Sequence, residues 1–226
     1  MGGGGIAGTT PGLDRYLLGL AGKERPRVCF LGTASGDDPG YEAAVLRAFV
    51  ELGAEPRPVR LFQRDIADLG GFLLSQDVIC VGGGNTANML AVWRVHGVDR
   101  LLREAWDAGV ILAGVSAGAN CWFEASTTDS FLIGNADPLA DGLGFLPGSF
   151  CPHYSSEPAR RPRFAELIGE GTLPAGYGAD DGVALHFVDT ALHATVVADP
   201  DAAAYRVERS GASAKETRLS PSVTAG

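Results

Sequence analysis

Three short apolar runs, each stopping abruptly at glycine, constrain this chain more than any other feature. Arg27-Val-Cys-Phe-Leu31 runs into Gly32-Thr-Ala-Ser-Gly36, Asp77-Val-Ile-Cys-Val81 into Gly82-Gly-Gly-Asn85, and Val110-Ile-Leu-Ala-Gly114 into Val115-Ser-Ala-Gly118. Apolar runs of this length, bounded by turn signals, suit strands covered on both faces. Residues 41–52, 87–95 and 101–108 carry apolar side chains at helical spacing. Strands alternating with helices predict an α/β fold with a mostly parallel central sheet and helices on both faces. In such sheets ligands bind at the carboxyl ends of the strands. The turns at 82–85 and 114–118 both fall there.

Glycine makes up 32 of the 226 residues, about twice the usual ~7%. It follows no repeat period, which points to tight turns and close backbone approaches rather than to a fibre. A chain of this length fits one α/β domain, which can reach about 250 residues. The expected division is a loose lead at 1–12, a single domain at 13–209 and a loose tail at 210–226. Within that domain Val183-Ala-Leu-His-Phe-Val188 and His193-Ala-Thr-Val-Val197, followed by Tyr205-Arg-Val-Glu-Arg209, read as an antiparallel hairpin added to the main sheet.

Charge narrows the function classes. The balance is 18 Lys and Arg against 27 Asp and Glu, net −9. Binding a nucleic acid through its phosphates needs clustered cations. Here only Arg160, Arg161 and Arg163 group together, so neither nucleic acid nor an anionic membrane is expected as a partner. The four cysteines, Cys29, Cys80, Cys121 and Cys151, form no C-x-x-C pair, so no metal site is expected. No apolar run reaches the 18 residues of a membrane span. The lead Met1-Gly-Gly-Gly-Gly-Ile6 has no basic or apolar signal-peptide region, and Ile6 breaks the myristoylation pattern. A cytoplasmic protein acting on a small molecule is the expectation.

The chemistry centres on Gly114-Val115-Ser116-Ala117-Gly118, which follows an apolar strand and precedes a helical segment. This is the context of a nucleophile elbow. A Ser on so sharp a turn is pushed clear of the sheet, and the Ala117 N–H of the following helix can hold an oxyanion. A chance Ser in a Gly-rich turn is the plainer alternative. A nucleophilic Ser needs a base. Of the four histidines, His96 lies in a helical pattern, and His186 and His193 read as strand residues. His153 stands in the loop Phe150-Cys-Pro-His-Tyr154, 153 − 116 = 37 residues after the Ser. The carboxylate orienting that imidazole could be Asp129, in Ser126-Thr-Thr-Asp-Ser130, with Asp180 and Asp181 as alternatives. Gly82-Gly-Gly-Asn85 lacks the Lys-Ser/Thr of a P-loop and does not fit G-x-G-x-x-G, so no nucleotide cofactor is expected. It can supply a second oxyanion N–H, from Gly84, while Asn85 or Thr86 caps the next helix.

Taken together, Gly82-Gly-Gly-Asn-Thr86, Gly114-Val-Ser-Ala-Gly-Ala-Asn120, Thr127-Thr-Asp129 and Pro152-His153-Tyr154 resemble the peptidase E family, the aspartyl dipeptidases that also include the cyanophycinases. The resemblance spans residues ~27–190. It implies a flavodoxin-like or class I glutaminase-like sheet and a serine peptidase, without cofactor, that acts on short peptides. It implies Ser116 as nucleophile, His153 as base, Asp129 as orienting acid, and the Gly84 and Ala117 amides as oxyanion hole. It further implies a homodimer. Asp-X preference would rest on Arg160, with Arg163 close by and Asn85 beside the site. The cyanophycinase branch carries an acidic residue just before its His, where this chain has Cys151-Pro152. An esterase using the same triad, a peptidase of other specificity, and a binding domain with a vestigial Ser are the competing expectations.

Overall fold

The structure, a computed structural model, describes residues 1–226. After α1 (Pro11–Leu20) the chain alternates as expected through β1 (Arg27–Leu31), α2 (Pro39–Glu51), β2 (Glu55–Val59), α3 (Leu69–Leu74), β3 (Val78–Val81), α4 (Thr86–His96), α5 (Val98–Asp107) and β4 (Ile111–Gly114). These four strands are parallel, in the order β2-β1-β3-β4. Side chains alternate across β1 and β3, and both faces are sealed. Cys29, Leu31, Ile79 and Val81 pack with Met89, Trp93 and Leu102 of α4 and α5. Val28, Phe30, Val78 and Cys80 pack with Leu17, Val45 and Phe49 of α1 and α2. That two-sided burial is why those runs read as unbroken hydrophobic stretches. All four cysteines are buried and free.

The sequence reading missed β2, Glu55-Pro-Arg-Pro-Val59. Proline cannot donate to a ladder and is confined to sheet edges. Here β2 is the edge strand.

After β4 the chain makes the short α6 (Ala117–Asn120), then β5 (Phe123–Thr128), β6 (Asp137–Leu139), β7 (Leu146–Cys151), α7 (Arg160–Glu170) and β8 (Gly176–Ala179). The expected hairpin is β9 (Val183–Val188) against β10 (Ala191–Val197), antiparallel. The remaining strands are β11 (Ala204–Ser210), β12 (Ser213–Arg218) and β13 (Val223–Thr224). They complete a six-stranded sheet β12-β11-β8-β7-β5-β6 and a three-stranded sheet β13-β10-β9.

Both chain ends differ from the expectation of a loose lead and tail. Ile6 is fully buried, and Gly2 N–H donates to Val183 O at 3.0 Å. At the other end, β12 pairs with β11 along its length and β13 pairs with β10. The polar, small composition of the tail suits strands with an exposed face, so composition alone could not separate it from a frayed end.

Candidate active site

Ser116 lies between β4 and α6 with φ 53° and ψ −116°, a conformation costly for a residue with a Cβ. The two flanking glycines make the turn possible by close approach. A Cβ on Gly114 would lie 1.9 Å from Gly118 O, and one on Gly118 would lie 2.3 Å from Val81 O. The G-x-S-x-G spacing is therefore a packing requirement of this elbow. Ala117 is the first helical residue, so its N–H has no intrahelical acceptor.

The carboxyl end of β3 lies beside it. Gly83 packs against the Ser116 side chain: a Cβ built there would stand 3.9 Å from Ser116 Oγ. Gly84 takes φ +136°, and a Cβ there would meet Ala34 O at 2.2 Å. Only glycine fits that backbone. Asn85 Oδ1 accepts from Asn88 N–H at 2.9 Å and caps α4, while its Nδ2 donates to Ser130 O at 3.0 Å. Asn85, expected near substrate, thus has both ends of its amide engaged in holding the loop after β5 to α4.

His153 follows β7 and also has positive φ, 51°. Its Nδ1 is 2.6 Å from Asp181 Oδ1, and this bond holds the Asp181 carboxyl below its ordinary pKa. No hydrogen bond joins His153 to Ser116. Their proximity is set by the lead. Ser116 N–H donates to Met1 O at 3.3 Å. Two residues on, a Cβ on Gly3 would lie 2.0 Å from Asp181 Oδ1 and 2.9 Å from His153 Cε1. Two residues of extended chain span at most about 7 Å, so Ser116, His153 and Asp181 share one small region.

The expected orienting acid, Asp129, is elsewhere. Its Oδ1 is 3.6 Å from the guanidinium of Arg160. Arg160 is 3% exposed, its Nε donates to Glu157 Oε2 at 2.7 Å, and another guanidinium nitrogen donates to Thr127 O at 3.1 Å. Asp129 follows the end of β5, and the buried cation of α7 draws it in. Asp181, in the turn between β8 and β9, meets the imidazole instead. Asp180 points away, its Oδ2 accepting from Ala203 N–H at 2.9 Å. Arg163 pairs with Glu166 on the surface. Neither arginine offers an uncompensated charge. Glu157 was not expected; its spacing of three from Arg160 was the available signal.

A search with family models matches residues 1–195 to the description "Peptidase family S51". The chain belongs to peptidase family S51. It is 49% identical over 211 residues to "Uncharacterized peptidase YgaJ" of Bacillus subtilis (strain 168), covering 92% of this chain and 90% of that one. It is 30% identical over 185 residues to "Peptidase E" of Pasteurella multocida (strain Pm70), covering 79% and 77%. Among solved structures, a peptidase from an acI-B1 Actinobacterium superposes with TM-score 0.71 at 20% identity, over 97% of this S51 chain and 92% of that one. This likeness agrees with the expected α/β fold. No helix is long and apolar enough to cross a membrane.

Proposed function

We infer that this S51 peptidase hydrolyses short peptides through an acyl-enzyme on Ser116, with His153 as base and Asp181 as the carboxylate that orients it. The observation that carries this reading is the 2.6 Å contact between His153 Nδ1 and Asp181 beside a strained elbow. An ionised Asp181 fixes the tautomer with the proton on Nδ1, which leaves Nε2 to take the Ser116 proton. The Ser oxygen then attacks the scissile carbonyl. The oxyanion is received by the Gly84 and Ala117 amides, and His153 returns its proton to the leaving amine. Water repeats the sequence on the ester and frees the enzyme.

For the substrate, the engaged state of Arg160 argues against a strict requirement for an acidic side chain. Its guanidinium already faces Asp129 and Glu157. We expect a short-peptide hydrolase, dipeptides included, with Asp-X as one substrate among several. Family resemblance favours a homodimer.

The test is a fluorophosphonate label followed by a substrate panel. Ser116 should label, and unlabelled enzyme should cleave dipeptides faster than short esters. An intact fold that neither labels nor cleaves would sink the reading. Cleavage confined to esters would favour the acyl hydrolase.

A further inference from the structure

The sheet of β2-β1-β3-β4 stops at β4, and the sheet of β9-β10-β13 stops at β9. Between the two unpaired edges lies a trough of about 550 Å³. One wall is residues 109–114, the other residues 184–189, and 19 of its 23 lining residues are apolar. Leu17 and Leu20 of α1 close one face, while Trp122, Phe123 and Phe145 close the other. The contrast with the neighbouring strand is clear: every residue of β3 is buried, whereas Ile111, Leu112 and Ala113 of β4 are only half-buried. Unpaired, apolar strand edges are normally covered.

The backbone at one end of the trough already has the geometry of a strand. Met1 N donates to Gly114 O at 2.8 Å, and Ser116 N–H donates to Met1 O at 3.3 Å. That is one rung of a parallel ladder, with Met1 opposite Val115. On the other side, Gly2 N–H donates to Val183 O. The β4 amides alternate: those of Ile111 and Val115 go to β3, so those of Leu112 and Gly114 face the trough. Desolvation lowers the pKa of the Met1 amino group to about 5. A peptide N–H in the same place would donate the same bond to Gly114 O without a buried charge.

We propose that the trough is the seat of a further β-strand, an apolar segment peptide-bonded to the Met1 nitrogen. It runs parallel to β4 and antiparallel to β9. Counting back from the Met1–Val115 rung to Gly109, about six residues fill it. With helix and aromatic layers on its two faces, the strand is apolar on both sides. It joins the two sheets into one, ordered β2-β1-β3-β4-strand-β9-β10-β13, and its carboxyl end leads into the glycines that touch His153 and Asp181. The proposal does not depend on the catalytic assignment.

The test extends the chain at Met1 by six residues, Val-Ile-Val-Ile-Val-Ala in one form and Gly-Ser-Gly-Ser-Gly-Ser in the other. Both forms remove the buried charge, so their difference isolates filling of the trough. The apolar extension should raise Tm by about 5 °C or more over the Gly-Ser form. It should quench anilinonaphthalene sulfonate fluorescence and slow hydrogen exchange at the Leu112 and Gly114 amides. If it proves insoluble, a Val-Thr-Val-Thr-Val-Ala form serves for the exchange measurement. Equal Tm and equal exchange in the two forms would overturn the proposal. So would a free acetylated peptide of the apolar sequence that protects these amides as well as the fused one does, since the seat would then belong to a separate partner.

Discussion

Two carboxylates in this protein each face a nitrogen-bearing side chain, and their settings differ. His153–Asp181 lies in loops, with Asp181 46% exposed and the imidazole 23% exposed. Arg160 with Asp129 and Glu157 is anchored on α7, and the guanidinium side chain is 3% exposed. The exposed pair is open to water and to any ligand at the elbow. The buried guanidinium is already engaged by Glu157, the Thr127 carbonyl and Asp129. It serves to hold β5, the 127–129 segment and α7 together. A short carboxylate–nitrogen contact is shared by both pairs; access to solvent separates them.

Mutations should break the two apart. The largest effect is expected for Ser116→Ala: loss of about 10⁴-fold or more in kcat with unchanged Tm, measured by dipeptide turnover and thermal melting. Asp181→Asn comes next, with kcat down roughly 10³–10⁴-fold because the imidazole loses its orienting charge. Asp129→Asn should cost less than about tenfold. The reverse ranking of these two variants would return Asp129 to the triad.

Stability should then show the converse. Arg160→Leu leaves Glu157 without its donor and takes one of two donors from the Thr127 carbonyl, which keeps Asn120 Nδ2, and should cost about 3 kcal/mol in urea unfolding. Asp181→Asn should cost well under 1 kcal/mol, since the pair is substantially exposed. A smaller effect of opposite sign is expected at the elbow. Ser116→Gly relieves a φ of 53° and should stabilise by about 1 kcal/mol while abolishing turnover.

A further expectation is a pH dependence that reports the Met1 contact beside His153 and Asp181. The Met1 amino group falls from 8.0 to about 5 on burial. The folded state therefore binds fewer protons than the unfolded one between those values, and stability rises with pH across that window. Asp14 is shifted by burial from 3.8 up to about 6. Its contribution is present below its unfolded value and is lost as pH rises through about 6. Above pH 6 the Met1 contribution remains, so Tm of the 226-residue chain should climb between pH 6 and 8. Acetylating the amino terminus should flatten that climb, and a Tm that falls across the window would refute the assignment.

Much of this was legible from residues alone. The strands at 27–31 and 77–81 could be read because burial on both faces leaves no polar position within them, and 110–114 because its run is apolar throughout. The elbow could be read because Gly114 and Gly118 are imposed by contacts within a few residues of Ser116 and with the adjacent strand. Asp129 was drawn in by chain order and family pattern, and the choice among Asp129, Asp180 and Asp181 stayed open there. The lead looked loose because four glycines carry no side-chain pattern. The same absence of side chains is what lets its backbone lie between the elbow and His153.

The sequence by itself determined the α/β class, the family, the tight turn that carries Ser116 and the loop that carries His153, since each depends on local periodicity or on short-range backbone fit. The tertiary structure decided which carboxylate meets His153, that Arg160 already faces Asp129 and Glu157, and that β4 ends its sheet beside an apolar trough. Those three depend on where segments distant in sequence come together, and contacts of that kind leave no periodic trace along the chain.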